Sequence, residues 1–549
     1  MDVFPMTKSV FDNVVQHSGQ CMVWRWFLLS VCLSLLVGAS TGRAQEREGI
    51  SDADVAALAG RAMSEFNVPG LAIGIVKADR ILLAEGFGIR EIGEPKPVDT
   101  QTLFKIASNS KAFTSAALAT LVDDGLIEWD GLVIDYIPEF RMKDPWVTAN
   151  FTVRDLLSHR SGLSPFKGDM LLWPEPNSFA VTDIIHALRY FEPASSFRTR
   201  YAYDNLLYIV AGEIIPRVSG KTWGEYVESR IMHPAGMKNC FADQIPRRKM
   251  KNLATPHGVI EGELSVIERG RIPRQPPISA AAGGVICSLD DMLTWVRAQL
   301  NHGTTGDGVE LFSAGQSREM WQPVTLRSVS ERDLELNRTH FKAYGLGWRL
   351  ADVHGFLEVS HTGTLAGMKS YVVMIPELDL GVVLLSNGSS SAARSAVMNT
   401  IVRSYMPVEQ VDWIQLILDE QEADELASQQ QEGPDVETDE PAEINKDPCQ
   451  VPELSLLTGR YRDPWFGDVV IAQEGGQLVF SADRSAKLKG PLSHYEGNRF
   501  FIRWIDRSLE ADAWIEFEMG EDGPASAISM SKLNGGDYDF EDLALTRVE

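Results

Sequence analysis

The chain has 549 residues, more than one hydrophobic core usually organises, so it is read as two domains with tails. Its 44% hydrophobic and 23% charged residues form an ordinary globular balance. A formal net charge of −25 opposes phosphate backbones, which require clustered Lys and Arg to displace counterions, so nucleic acid is excluded as a partner.

The first element is the apolar run WFLLSVCLSLLVGAS at residues 26–40, preceded by Arg25 and followed by small residues up to Ala44. It is short for a membrane span and suits a signal peptide over residues 1–44, with the mature chain starting near Gln45. A start at Met22 would give the more usual leader MVWRWFLLSVC; the alternative is an uncleaved anchor. Export to the periplasm or medium follows from this reading, with membrane contact confined to the leader. Cys21 and Cys32 lie in that leader, while Cys240, Cys287 and Cys449 remain widely spaced. This odd set is read as no disulfide framework, and no CxxC pair or HExxH helix marks a metal site.

Residues 51–66 predict an amphipathic helix capped by Ser51 or Asp52. LAIGIVKADRILLAEGFG, from Leu71, predicts a hairpin turning at Ala78-Asp79-Arg80. Helical patterns follow from about Lys111 to Leu300, and strands return at YGLGWRL, KSYVVMI and LGVVLLSNG. Strands at both ends with helices between predict an α+β domain over residues 45–418, with one mixed sheet built from distant segments. Residues 419–448 are acidic and nearly free of large apolar side chains, and read as a helix tail running into a solvated linker. From 449 to 549, about eight short alternating strands, divided by Gly475-Gly476 and Asn534-Gly535-Gly536, predict a small antiparallel β-barrel or sandwich.

Chemistry concentrates in three places. In LFKIASNSKAFTSAALATLVDDG, Ser108 and Lys111 stand three apart at a helix start, hence one turn apart on one face, with Phe113, Ala117, Leu118 and Leu121 as the buried stripe. A serine hydroxyl needs a neighbour to take its proton, and lysine serves only when burial or nearby positive charge lowers its pKa. Taken alone, the pair also fits a helix N-terminus with a surface lysine. Tyr203 and Asn205, in FRTRYAYDNLLYIVAGEII, open a second helix, where a phenol can relay a proton and an amide can hold a carbonyl; Asp204 or Asn205 could equally be a cap. His361-Thr362-Gly363 in LEVSHTGTLAGMKSYVVMI, the third place, sits where a strand would pass the nucleophile; Gly363 permits close approach, and a plain turn is the other reading.

The order SxxK, YxN, HxG resembles the serine β-lactamase and penicillin-binding-protein superfamily, as do TVRDLLSHRSGL, AAGGVICSLDDMLTWV and PELDLGVVLLSNG, which are similar to its class C and D-aminopeptidase-like branch. The likeness spans about residues 56–399. It implies a mixed sheet flanked by helices, an inserted helical lobe with the site between them, and a C-terminal lipocalin-like barrel. Ser108 would be acylated, Lys111 and Tyr203 would exchange protons, and Asn205 would orient the substrate amide. His361, Gly363 and Thr364 would contact substrate, with the backbone N–H groups of Ser108 and Thr364 as oxyanion hole. No metal or organic cofactor is implied. Ser110 is a weaker nucleophile candidate, and His159 and Arg160 read as structural. Histidine at 361, where β-lactamases usually carry lysine, resembles the peptidases, amidases and esterases of the superfamily. The expected activity is therefore hydrolysis of a small peptide, amide or ester. A β-lactamase and a non-catalytic penicillin-binding sensor or scaffold are the alternatives. The barrel is read either as a substrate gate or as a stabilising appendage.

Overall fold

The computed structural model describes residues 49–431, 452–521, 523–533 and 538–548. The expected leader lies outside the described residues, as do the end of the acidic linker and the turn at 534–536. Among the described residues, no helix is long and apolar enough to cross a membrane.

Helix α1 (Asp52–Glu65) starts where Ser51 accepts a hydrogen bond from the Asp54 N–H. The predicted hairpin forms as β1 (Gly70–Lys77) and β2 (Arg80–Gly88), turned by Ala78 and Asp79 at positive φ of 50° and 57°. Two successive left-handed residues give the turn whose twist matches the flanking strands. The remaining strands of the sheet come from far along the chain: β3 (Thr325–Arg327), β4 (Lys342–Tyr344), β5 (Arg349–Val353), β6 (Phe356–Leu365), β7 (Met368–Ile375) and β8 (Leu380–Ser386). Their order is β2-β1-β8-β7-β6-β5-β4-β3, antiparallel throughout rather than mixed as expected, because each neighbour enters from the opposite end.

Helices cover both faces, so the central strands read as continuous apolar runs. In β1 and β8, Ile73, Ile75, Val382 and Leu384 pack against α1 and two late helices, α5 (Ser391–Ser404) and α6 (Trp413–Gln431). Their alternates Ala72, Val76, Val383 and Leu385 join the other core with α2 (Ser110–Asp123), α3 (Leu206–Ser219) and α4 (Leu289–Leu300). Helix α2 is buried from Ser110 to Leu121, so it is a central core helix rather than one with a single apolar stripe.

Two expectations are corrected. YGLGWRL is not one strand: Tyr344 ends β4, Arg349 begins β5, and the Gly345 N–H donates to the Trp348 carbonyl across the turn. Gly347, at φ 83°, sits so close to α2 that a Cβ there would meet Ser115 Oγ at 2.7 Å and the Lys111 carbonyl at 3.1 Å. The cysteines are not all free, either. Short strands Cys240–Phe241 and Ile286–Cys287 pair antiparallel, which sets Cys240 opposite Cys287, and the two form a disulfide.

The C-terminal segment closes into an eight-stranded antiparallel barrel. Its strands are β9 (Gly459–Asp463), β10 (Gly467–Glu474), β11 (Gln477–Ala482), β12 (Ser485–Glu496), β13 (Arg499–Ile502), β14 (Ala513–Met519), β15 (Ala525–Lys532) and β16 (Leu545–Arg547). It docks on the helical lobe through Phe179 on Phe466 and Phe191 on Trp465, at ring centroid separations of 5.6 and 5.1 Å. Polar ties surround them: Arg484 pairs with Asp183 at 2.6 Å, and Lys167 with Asp542.

Candidate active site

Ser108 lies in a single 3-10 turn, Ala107–Asn109, that leads directly into α2. Three contacts fix this turn. Ile106 N–H donates to the Val285 carbonyl, Asn109 Nδ2 to Ser370 Oγ, and Ser370 Oγ to the Ile106 carbonyl, at 3.0, 2.8 and 2.6 Å. Ala107 is held at φ 49°, a left-handed conformation rare for alanine, which tips the next residue out of the helix line. Gly363 passes so near that a Cβ would overlap the Ile106 carbonyl and Ser370 Oγ, so only glycine fits there. Ser110 is buried, donates to the Ala107 carbonyl at 2.7 Å and accepts from Val285 N–H at 3.0 Å; its hydroxyl is structural.

The Lys111 ammonium is fully buried beneath Ser108 and reaches its Oγ at 3.3 Å, Asn205 Oδ1 at 2.7 Å and the Ala282 carbonyl at 3.0 Å. Burial brings its pKa down to about 7; the Asp169 and Asp204 carboxylates oppose that fall and Arg349 adds to it. Asn205 is oriented from its other end by Asp169 Oδ2, which accepts from Nδ2 at 2.7 Å. The Tyr203 hydroxyl shares a hydrogen bond with Ser108, and burial raises the phenol's pKa. Its ring lies 4.8 Å from Lys111 Nζ. Thus SxxK and YxN meet in one hydrogen-bonded cluster. Asp204, rather than Asn205, caps α3, accepting from Leu207 N–H at 3.1 Å, which frees the Asn205 amide for the site. Burial pushes the Asp204 carboxyl up to about 7.

The third segment is brought in only in part. Thr364 lines the same cavity as Ser108, Tyr203 and Asn205. His361 and Gly363 do not line it. His361 is fully buried, with Nε2 2.9 Å from the Tyr344 hydroxyl and Nδ1 2.7 Å from the Thr362 carbonyl. Burial, with Arg349 and Lys111 nearby, lowers its pKa well below the usual histidine range, so it is neutral. His159 also lies behind the site: its Nδ1 accepts from Asp204 N–H at 3.1 Å and its ring is tilted against that of Tyr203 at a centroid separation of 4.3 Å. Arg160 pairs with Asp155 at 2.7 Å, away from the cleft.

The cavity measures about 880 Å³. Several of its walls were unread in the sequence. Asp169, Arg327 and Arg349 line it, and Arg349 Nη1 donates to Thr362 Oγ1 at 2.8 Å. One side is barrel: Ser508, Leu509, Glu510 and Tyr538 line it, and Arg269 donates to Ser508 Oγ and to its carbonyl at 3.0 and 2.7 Å. Among the described residues, no group of three or more His, Cys, Asp or Glu converges to hold a metal ion.

A helix-flanked antiparallel sheet, a buried helix that carries Lys111 and follows directly on the turn bearing Ser108, and a facing helical lobe define the fold of β-lactamases and penicillin-binding proteins. The Beta-lactamase family model matches residues 55–406, and the chain belongs to that family. A second model, described only as a domain of unknown function, matches residues 445–547. The unguisins hydrolase of Aspergillus campestris is 25% identical over 498 residues, 87% of this chain and 89% of that protein. The octameric penicillin-binding protein homologue of Pyrococcus abyssi aligns over 91% of this chain and 100% of its own, with TM-score 0.55 and 19% identity. A class C β-lactamase from Rhodobacter sphaeroides aligns over 66% of this chain and 99% of its own, with TM-score 0.52 and 21% identity. At these identities the two structures speak for the fold alone.

Proposed function

We propose that the chain hydrolyses a small peptide, amide or ester through a Ser108 acyl-enzyme. The observation that carries this reading is a buried lysine of pKa about 7, held 3.3 Å from the serine hydroxyl. Near neutral pH a large share of Lys111 is uncharged and can accept the Ser108 proton as Oγ bonds to the acyl carbon. Tyr203, its pKa raised by burial, remains a phenol and can donate its proton to the departing nitrogen or oxygen, regaining one from Lys111. The backbone N–H groups of Ser108 and Thr364 are assigned to the oxyanion, and Asn205 to the substrate carbonyl. Water then releases the acyl group by the reverse path. His361, neutral and off the wall, supplies no charge to substrate; Arg349 beside Thr362 takes that role.

Residues 1–44 are assigned as an export signal, 45–418 as the hydrolase domain, 419–448 as a linker and 449–549 as the barrel. The Cys240–Cys287 disulfide supports an oxidising, exported setting. With its residues on one cavity wall, the barrel is assigned a part in limiting which substrates enter. The test is a panel of p-nitroanilides of L and D residues, p-nitrophenyl esters and a chromogenic cephalosporin. Turnover of a peptide or ester member, lost in Ser108→Ala, supports the reading. Fast cephalosporin turnover alone would make the chain a β-lactamase, and stable adducts without turnover a sensor.

A further inference from the structure

The chain is acidic as a whole, yet four cations, Arg269, Arg327, Arg349 and Lys369, line the cavity against two carboxylates, Asp169 and Glu510. Asp169 is engaged by Asn205, and Arg269 is tied to the barrel loop. Arg327 and Arg349 differ from the rest. They project from β3 and β5, the strands beyond β6 toward the sheet edge, and they neighbour each other closely enough for like-charge repulsion to act between them. Among the described residues, neither forms an ion pair with a carboxylate. Arg349 is held by Thr362 Oγ1, while its Nε is buried without a hydrogen-bond partner. Arg327 rests its guanidinium 5.2 Å over the Tyr201 ring. The Asp333 carboxylate, whose charge also reaches Arg327, is bound at 2.7 Å by Lys342.

Burial and the neighbouring Arg349 charge both work against the Arg327 guanidinium, which faces the cavity with no carboxylate paired to it among the described residues. An anion spanning both would relieve the repulsion and fill their unused donors, which suit carboxylate oxygens in bidentate geometry. We propose that the substrate carries two anionic groups, one received by Arg349 with Thr362 and a second by Arg327 against Tyr201, as in a peptide ending in glutamate or aspartate. This rests on the serine-hydrolase reading and adds a second anion subsite to it. Converging positive charge in a cleft of an acidic protein would also steer such a substrate inward.

The full chain is tested by protection of Ser108 from a fluorophosphonate with N-acetyl-alanyl-glutamate, N-acetyl-alanyl-glutamine and N-acetyl-alanyl-glutamine amide, which carry two, one and no negative charges. Calorimetric titration of the same three into Ser108→Ala gives a second readout. The dianion should bind at least about tenfold more tightly than the monoanion at low salt. Arg327→Gln should bring the dianion down to the monoanion's affinity and leave the monoanion unchanged. Arg327→Lys should retain part of the preference, and Arg349→Gln should weaken both anions. Equal binding of dianion and monoanion by the native chain, or an unchanged ratio in a folded Arg327→Gln, overturns the proposal. If Ser108 takes up the label without selective protection, only the second subsite fails. If Ser108 is not labelled at all, the hydrolase reading fails, and the subsite is then judged on the titration alone.

Discussion

The pH dependence of Ser108 acylation is set by Lys111. Moving its titration from 10.5 to about 7 corresponds to about 5 kcal/mol of preference for the uncharged amine in this pocket. Because the uncharged form is the base, the rate constant for fluorophosphonate inactivation should rise about tenfold per pH unit below 7 and level off above about pH 8. At pH 5 about one Lys111 in a hundred is uncharged. The Asp204 carboxylate holds the Lys111 pKa up, so Asp204→Asn should move the acid limb to lower pH, and asparagine can still cap α3. Asp204 itself titrates near 7, so the variant separates the two groups. A flat profile from pH 5 to 8 would refute the reasoning, and so would a limb that vanishes in Asp204→Asn, since the carboxyl and not the amine would then be setting it.

Lys111→Ala should slow acylation by at least roughly a hundredfold, measured by the same inactivation assay. Gly363→Ala should cost about 1–3 kcal/mol in chemical denaturation and reduce labelling, because its Cβ displaces the turn that carries Ser108. Replacing both Cys240 and Cys287 by alanine should lower stability by about 4 kcal/mol for a loop closed over 47 residues. Reductant should shift the melting temperature of the native chain and not that of this variant.

What could be read ahead of the structure was local. Ser108 with Lys111, Tyr203 with Asn205, the hairpin at 71–88 and most barrel strands are signalled by neighbours within one or two turns or by strict alternation. What failed depended on tertiary placement. Apolar periodicity carried the reading through YGLGWRL, whereas the close packing of Gly347 on α2 forces a turn there. Strand β12 is the barrel strand least legible in the sequence, because Pro491 and two lysines interrupt its alternation. Cys240 and Cys287 become partners only when two short strands pair. Arg327, Arg349 and Asp169 carry no motif; they enter the site because the sheet edge and the 3-10 turn Asp169–Leu171 of the helical lobe border it. His361 shows the opposite limit: its triplet was legible, but the direction of its side chain was not.

In the proposed reaction the Ser108 hydroxyl is the group that becomes acylated. Intact-mass measurement and peptide mapping after fluorophosphonate treatment test it most directly. A single adduct is expected, carried by the peptide containing Ser108 and absent from a Ser108→Ala variant whose melting temperature is unchanged. An adduct on any other residue, or equal labelling of Ser108→Ala, contradicts it.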